Sequence, residues 1–336
     1  MIYPKFINKG DLISVPAPSD GAYNEKYVAR HKNAKQNLEN RDYRINLSKN
    51  IYNSKKGRSA DCITRANELN KMFDDSSNAI ICASGGEFLV EILPYVNFEK
   101  IVNNPKWVVG FSDPTGILFT ITTKYDIATI YGTNFSSFGA EVYHKSIEDN
   151  LKILEGDIST QESFDLYEDE SYEKVTGLEG YNLTEKVCWK TLGGKEEKIT
   201  GRIIGGCIDI ITELSGTKYD GTKKFIEKYK NDGIIWYFDN CELSKEELLR
   251  VLWKFNELEY FKNSRGIIFG RNGQEISYNY ETMEEALKDS VLSKLNIPII
   301  YDADISHKGP SMTIINGAIA HITCKDGKGT VKLELK

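Results

Sequence analysis

Short apolar segments alternate with longer segments of helical periodicity over residues 11–131, and this alternation constrains the fold more than any other feature. The pattern is typical of βα units, which build a largely parallel sheet with right-handed crossovers. It predicts strands at residues 11–15, 43–47, 79–83, 107–111 and 127–131, and helices over 24–40, 59–73 and from 113 onward. Sites in such sheets form at the carboxyl ends of the strands. The sequence therefore predicts an α/β fold that begins with a flavodoxin-like or Rossmann-like domain.

The rest of the chain consists of an acidic segment without clear periodicity and a second region rich in strands. Between about residues 141 and 198, stretches such as 165–173 fit neither a helix nor a strand, which indicates a linker or a functional lid. Strands are predicted at 199–206, 233–239, 266–270, 298–301, 312–322 and 330–335, and capping boxes at Ser244 and Thr282. We predict an N-terminal α/β domain over 1–150, a linker or flap over 151–197, and a strand-rich α/β C-terminal domain over 198–336.

Composition and charge exclude several classes of protein. A chain of 336 residues is long enough for two domains. Its 43 basic and 49 acidic side chains give a net charge of −6, which argues against a nucleic-acid surface because that surface needs a basic stripe. No apolar run approaches the ~20 residues that cross a bilayer, and the N-terminus lacks the features of a signal peptide. We expect a cytoplasmic protein with neither a nucleic-acid nor a membrane partner.

The residue types that usually bind metals and cofactors do not have the spacings of known binding motifs in this sequence. The six cysteines include no C-x-x-C pair, and the four histidines form neither an H-x-x-x-H nor an H-E-x-x-H pattern. Neither the glycine-rich dinucleotide fingerprint nor the P-loop is present. We therefore expect no metal and no organic cofactor.

A serine lies at a sharp turn between a predicted strand and a predicted helix. Ser112 follows residues 108–111 and precedes Asp113 and Pro114. One interpretation is that Ser112 is only the N-cap of the helix, a position that serine favours. The other is a nucleophile elbow, which presents the hydroxyl at the sheet edge beside a backbone N–H that stabilises an oxyanion. Both interpretations stay open, because Pro114 stands where the usual G-x-S-x-G motif has glycine.

Two further polar segments follow predicted strands. Residues 83–87 contain Gly85 and Gly86, which form either a plain tight turn or part of an oxyanion hole if they neighbour Ser112. His307 lies in a polar loop between two strands, and Glu242 follows the strand at 233–239. The alternative interpretation of Glu242 is that its carboxylate only interacts favourably with the positive end of the helix dipole that follows. The chain order Ser, Glu, His permits a catalytic triad.

Several segments taken together carry a family resemblance. They are Gly85-Gly86, residues 92–98 (ILPYVNF), residues 104–115 (NPKWVVGFSDPT), the opening 9–19 (KGDLISVPAPS), residues 201–206 (GRIIGG) and the turn at His307. This combination resembles the LD-carboxypeptidase family of serine peptidases, and in particular its microcin C-type immunity peptidases. The resemblance covers nearly the whole chain, and the block at 104–115 is its most specific part.

The resemblance implies a catalytic site and a reaction. Ser112 corresponds to the nucleophile, His307 to the general base, and Glu242 to the acid that orients the imidazole. The backbone N–H groups of Gly86 and Asp113 would form the oxyanion hole, without a cofactor. The implied activity is that of a serine carboxypeptidase, acting on an amide bond of a small peptide or of a peptidyl- or aminoacyl-nucleotide. Members of the family are commonly homodimers, so we expect a homodimer.

The chain departs from the family pattern at some positions. Family members tend to have Gly-Glu or Ser-Glu where this chain has Cys241-Glu242. At an earlier position of this segment, where the family has an acidic residue, this chain has Phe238. Asp239 is therefore an adjacent alternative for the acid. The chain has Ser-His-Lys at the histidine where the family pattern is Gly-His-Thr, and Gly-Gly-Cys-Ile after residue 202 where the pattern is Gly-Gly-Asn-Leu. These two departures bear on which substrate the protein prefers. A murein tetrapeptide is the alternative substrate, and a catalytically silent peptide-binding homologue is the alternative of another class.

Trp189 lies between charged residues and shortly before Gly193-Gly194. One interpretation is that it docks the connection onto the core, because tryptophan is largely buried in most proteins. The other follows from the resemblance, which implies a tryptophan on a mobile flap that stacks on a nucleotide base. We expect the second role, which would make Trp189 a substrate-binding residue.

Overall fold

The structure is a computed structural model and describes residues 1–170, 172–274 and 276–336. The chain folds into two compact units, and each consists of several separate stretches of sequence. Unit 1 contains Met1–Ile158, Tyr172–Tyr181 and Met312–Asn316. Unit 2 contains Ser159–Ser171, Asn182–Ser311 and Gly317–Lys336.

The secondary structure confirms the alternation read from the sequence. In chain order the strands are β1 (Leu12–Val15), β2 (Arg44–Leu47), β3 (Ala79–Ile81), β4 (Trp107–Gly110), β5 (Thr129–Tyr131), β6 (Gln161–Glu162), β7 (Leu166–Tyr167), β8 (Glu185–Lys186), β9 (Lys190–Thr191), β10 (Glu197–Cys207), β11 (Ile234–Asp239), β12 (Ser264–Gly270), β13 (Ile299–Ala303), β14 (Ile314–Asn316), β15 (Ile319–Lys325) and β16 (Lys328–Glu334). The α-helices are α1 (Glu25–Glu39), α2 (Cys62–Asp74), α3 (Phe98–Asn103), α4 (Thr115–Tyr125), α5 (Lys145–Leu154), α6 (Ile208–Leu214), α7 (Thr222–Lys228), α8 (Lys245–Glu257) and α9 (Met283–Asp289). Short 3₁₀ helices cover Leu89–Tyr95, Phe135–Gly139 and Val291–Lys294.

Unit 1 is built on a six-stranded sheet in the order β14-β5-β4-β3-β1-β2. The strands β1 to β5 are parallel to their neighbours, and only β14 at the edge is antiparallel. Every residue of β3, β4 and β5 is buried, as expected where helices cover both faces of a parallel sheet. The predicted parallel-sheet domain is therefore confirmed.

Several helices begin where a side chain binds a free backbone N–H group. Asn24 caps α1 by accepting from Tyr27 N, and Asp61 caps α2 by accepting from Thr64 N. The two capping boxes predicted at Ser244 and Thr282 are present at the start of α8 and α9. In each box the N-cap side chain accepts from the backbone N–H three residues on, and the Glu side chain at that position accepts from the backbone N–H of the N-cap. Four consecutive residues therefore define the first helical turn.

Unit 2 is built on an eight-stranded sheet in the order β6-β16-β15-β10-β11-β12-β13-β9. Its centre, β10 to β13, is parallel, and its outer strands are antiparallel. All six residues of β11 are buried, and this strand ends at Asp239. The strand-rich α/β character predicted for the second domain is confirmed.

One predicted strand, 312–322, is two strands in two different sheets. Its first half is β14, which pairs with β5 in unit 1, and its second half is β15, which pairs with β10 in unit 2. The break is at Gly317, which has φ of +88°. A left-handed residue interrupts an extended strand, and glycine adopts that conformation without steric cost.

The acidic segment predicted as a linker is divided between the units. The predicted boundary at residue 150 lies inside α5. Beyond α5, β6 pairs with β16 and β9 pairs with β13 in unit 2, while Tyr172–Tyr181 belongs to unit 1. Within the described residues, every helix is too short or too polar to span a bilayer.

Candidate active site

Ser112 lies two residues after the end of β4 in a left-handed backbone conformation, with φ of +69°. The helix α4 begins only at Thr115, and Pro114 occupies its N-cap. The interpretation of Ser112 as a helix N-cap is therefore wrong, because the serine lies two residues before the cap. A non-glycine residue at positive φ costs about 1–3 kcal/mol, and strain of this kind clusters at functional sites. The turn has the conformational strain expected of a nucleophile elbow.

The elbow is held by an asparagine that the sequence gave no reason to select. Asn134 accepts from Phe111 N at 2.9 Å through Oδ1 and donates to Phe111 O at 3.1 Å through Nδ2. It thus binds both backbone polar groups of the residue before Ser112. This bidentate contact fixes the peptide that leads into the turn.

Glycines provide the space that the elbow needs. A Cβ atom added to Gly85 would lie 3.4 Å from Ser112 Oγ, and one added to Gly110 would lie 2.4 Å from Pro114 Cβ. Strand β3, which leads to Gly85, is the neighbour of β4 in the sheet. The glycine turn therefore lies beside Ser112, which is the condition that the sequence set for a role in an oxyanion hole.

The Asp113 side chain connects the elbow to two other turns. Its Oδ2 accepts from the Ser19 hydroxyl and, at 2.9 Å, from Leu89 N, and the side chain is fully buried. Burial raises the pKa of Asp113 above 3.8, although both hydrogen bonds act in the opposite direction. A Cβ atom on Gly86 would lie 2.2 Å from Ser19 Oγ, so Gly86 also packs against this serine. The oxyanion-hole role of the Gly86 and Asp113 N–H groups stays a prediction.

In unit 2, Asp239 binds His307 twice. The Oδ1 atom of Asp239 lies 2.9 Å from Nδ1 of the imidazole and accepts from the His307 backbone N at 3.1 Å. Asp239 is fully buried at the end of β11, whereas the imidazole is partly exposed. Burial acts to lower the pKa of His307, but the carboxylate charge and hydrogen bond of Asp239 outweigh burial and raise the pKa well above 6.5. This is the arrangement of a base with its orienting acid.

Asp239, and not Glu242, is the carboxylate that contacts the His307 imidazole. The Glu242 side chain is exposed to solvent, and its backbone N donates to Asp209 Oδ1 at 3.0 Å. The alternative that the sequence left open is the one that contacts the imidazole. Cys241, which the sequence did not single out, also acts to raise the pKa of His307.

Trp189 is a packing residue of unit 2, so the predicted flap role does not fit the structure. Its side chain is 2% exposed, and its Nε1 donates to the buried Asp304 Oδ2 at 2.9 Å. A Cβ atom on Gly329 would lie 2.1 Å from the indole ring, so glycine at that position makes room for it. A ring covered in this way has no free face for a base. The alternative, that Trp189 docks the connection onto the core, is the one that holds.

Trp189→Phe is expected to lower the free energy of unfolding by about 1–3 kcal/mol, because it removes a donor from a buried carboxylate. The KM values for a nucleotide amide and a murein peptide should both stay within about twofold of the wild type. Urea denaturation and steady-state kinetics measure the two quantities. Trp253→Phe is the control, since Trp253 is 58% exposed on α8 and its replacement should change stability by less than about 0.5 kcal/mol. A selective rise in KM for the nucleotide amide would restore the stacking role.

The predicted site residues thus form two groups. Ser112, Asp113 and Gly86 belong to unit 1, and Asp239, Glu242 and His307 belong to unit 2. Among residues 1–170, 172–274 and 276–336, no group of three or more His, Cys, Asp or Glu side chains is arranged to hold a metal ion. The first group provides a serine hydroxyl and a carboxylate, and the second provides an imidazole and two carboxylates.

Matches to family profiles and to individual proteins agree on one family. The profile of the LD-carboxypeptidase N-terminal domain matches residues 13–132, and that of the LD-carboxypeptidase C-terminal domain matches residues 200–322. The chain is 26% identical over 264 residues to the microcin C7 self-immunity protein MccF of Escherichia coli, covering 76% of this chain and 74% of that protein. It is 26% identical over 322 residues to a putative carboxypeptidase of Vibrio cholerae, covering 93% and 92% of the two chains.

Solved structures share the fold. An MccF-like protein from Bacillus anthracis has a TM-score of 0.83 at 24% identity, covering 100% of both chains. MccF in complex with glutamyl sulfamoyl guanosine has a TM-score of 0.80 at 22% identity, covering 100% of this chain and 98% of that one. At these identities the likeness shows the fold.

Proposed function

Since the chain belongs to the LD-carboxypeptidase family of serine peptidases, we propose that it hydrolyses its substrate with Ser112 as nucleophile, His307 as general base and Asp239 as orienting acid. The observation that carries this proposal is the pair of contacts from Asp239 to His307, at 2.9 and 3.1 Å. The strained backbone of Ser112 supports the assignment of Ser112 as the nucleophile. Glu242, which the family resemblance implied for the acid, is replaced in the proposal by Asp239.

The proposed reaction is acyl transfer through a covalent intermediate. Neutral His307 takes the Ser112 proton while the hydroxyl oxygen attacks the amide carbonyl, and the Gly86 and Asp113 N–H groups stabilise the oxyanion. His307 then gives the proton to the leaving amine, and water releases the acyl group from Ser112 by the same steps. Asp239 holds the imidazole in the tautomer with the proton on Nδ1 and stabilises the imidazolium.

For the substrate we propose an amide of a small peptide or of an aminoacyl-nucleotide. The support is that MccF, which shares this fold, is known in complex with glutamyl sulfamoyl guanosine. In unit 2 a cleft of about 540 Å³ has a polar lining of both charges, which includes Lys190, Lys245, Asp169 and Glu284. Lys308 also lines it, and its Nζ is paired with Asp169 at 2.7 Å. The homodimer and the cytoplasmic location stay predictions.

A direct assay tests the proposal. The purified protein is incubated with a glutamyl-adenylate-like amide and, separately, with a murein tetrapeptide, and release of the C-terminal group is followed by mass spectrometry. We expect the nucleotide amide to be cleaved with the higher kcat/KM. The reverse ranking would assign the murein activity, which is the second substrate that the family permits.

A fluorophosphonate probe separates an enzyme from a silent peptide-binding homologue. The probe reacts quickly only with an activated serine. Labelling of Ser112, identified by peptide mapping, is expected. A protein that binds both peptides without labelling would contradict the proposal.

A further inference from the structure

The loop that carries His307 has no regular secondary structure of its own. It lies between β13, which ends at Ala303, and β14, which begins at Ile314. A base on a loop must be fixed to within about 0.5 Å to act efficiently. The hydrogen bond to Asp239 orients the imidazole ring, but other groups must fix the backbone of the loop.

Arg271 binds this loop at its beginning and again just after His307. The side chain is 5% exposed and follows β12 directly. Its Nε and Nη2 donate to Lys308 O at 3.1 and 2.7 Å, and Nη2 also donates to Pro310 O at 3.1 Å. Its Nη1 donates to the Asp304 carboxylate. One guanidinium therefore joins the beginning of the loop to two carbonyl groups just after His307.

The partners of Arg271 are themselves fixed. Asp304 is fully buried and also accepts from Trp189 Nε1 and, at 3.1 Å, from Phe164 N. The guanidinium carbon lies 4.6 Å from the ring centroid of Tyr167. The cation is thus paired, stacked and shielded from water, which is the environment in which charge-assisted hydrogen bonds are strongest.

A second set of contacts closes the loop on the backbone of Arg271. Ser306 Oγ donates to Arg271 O at 2.8 Å and accepts from Lys308 N at 3.0 Å. His307 lies between these two residues, so its backbone is held on both sides. No part of this arrangement belongs to the proposed triad.

We propose that Arg271 is a positioning residue that holds the His307 imidazole in its reactive place. The proposal rests on the function proposed above. The planar guanidinium is required because it directs several N–H groups at fixed angles, whereas an ammonium group has a single centre of charge. Lysine at this position would keep the charge and lose the geometry.

Arg271→Lys is expected to lower kcat by about 10- to 100-fold, since a displacement of about 1 Å in a catalytic group has an effect of this size. KM should change by less than about threefold, because Arg271 acts on the base through the loop. Steady-state kinetics on the preferred amide gives both constants. The fraction of folded protein is measured in parallel by thermal unfolding.

Arg202→Lys is the matched control. Arg202 is also buried, and its guanidinium also donates to backbone carbonyls and a carboxylate, namely Gly317 O, Lys336 O and Asp232. It lies in the middle of β10, five residues before Cys207, which pairs with Asp239. Five residues of strand separate the two by about 16 Å. Arg202→Lys should therefore affect stability without a comparable loss of kcat.

The titration of His307 is a readout that does not need activity. Asp239 and Cys241 are the titratable groups that interact with its imidazole in unit 2. If the loop moves, the contact with Asp239 weakens, and the pKa of His307 falls towards 6.5. In NMR spectra of ¹⁵N-histidine-labelled protein, with the signal assigned by His307→Asn, this shift should occur in Arg271→Lys and be absent in Arg202→Lys.

Two results would overturn the positioning role, and both differ from failure of the proposed function. Wild-type kcat and an unchanged His307 titration in Arg271→Lys would show that the loop needs no such support. Equal loss of kcat in both lysine variants would reduce Arg271 to a stability residue. If Ser112→Ala keeps its activity, the proposed function fails, while the histidine titration still decides whether Arg271 positions His307.

Discussion

Ser112→Ala is expected to lower kcat by several orders of magnitude on whichever amide the wild type cleaves. Removal of the nucleophile from a unit that acts cooperatively costs nearly as much as removal of the whole unit. KM should change little, because a hydroxyl that attacks the carbonyl contributes chiefly in the transition state. The fold should persist, since alanine is smaller than serine and Gly85 still leaves the turn its space.

Steady-state kinetics, fluorophosphonate labelling and thermal unfolding test this expectation together. Ser137→Ala is the matched control, because Ser137 is another partly buried serine of unit 1 and lies in the 3₁₀ helix Phe135–Gly139. It should retain activity and labelling. Turnover of Ser112→Ala near that of the wild type, in protein free of contaminating hydrolase, would remove Ser112 from the reaction.

The elements predicted from sequence are those whose signals are local. Strands β3 to β5 are apolar on both faces, and the capping boxes before α8 and α9 each lie within four residues. The boundaries were less exact. The helix α2 begins at Cys62 rather than at residue 59, because Asp61 provides its cap.

The errors concern features that depend on the tertiary structure. Residues 312–322 have the apolar pattern of one strand, and nothing in that pattern shows that β14 and β15 pair in different sheets. Trp189 is similar, since its burial depends on Gly329 and Asp304, more than a hundred residues away. In both cases the partner is distant in sequence and has no local signal.

The sharp turn at Ser112 could be inferred from the sequence and the carboxylate that contacts His307 could not, for a physical reason. The turn at Ser112 is a strand, a strained residue and a helix, all within one short segment. Asp239 and Glu242 are only three residues apart, and the direction of the chain after β11 decides which carboxylate approaches the histidine loop. The one available signal was that Asp239 continues a fully apolar strand, which places it in the core.

Asp239→Asn is expected to lower kcat by about 10⁴-fold, whereas Glu242→Gln should stay within about twofold of the wild type. The amide of asparagine presents an N–H group or a neutral oxygen to His307 Nδ1, so it no longer enforces the reactive tautomer or stabilises the imidazolium. Glu242 is exposed and has no such task. The two substitutions are matched, because each replaces a carboxylate by its isosteric amide within one short segment.

The pH profile gives a second, independent consequence of the same contact. Asp239 raises the pKa of His307 well above 6.5, so in the wild type kcat/KM should increase with pH through a value well above 6.5, as the imidazolium loses its proton. In Asp239→Asn the supporting charge is lost while burial remains, so this acidic limb should move to lower pH. In Glu242→Gln the limb should not move. If instead Glu242→Gln lost activity and moved the limb while Asp239→Asn did neither, Glu242 would be the orienting acid, and the contacts of Asp239 would serve only to hold the loop.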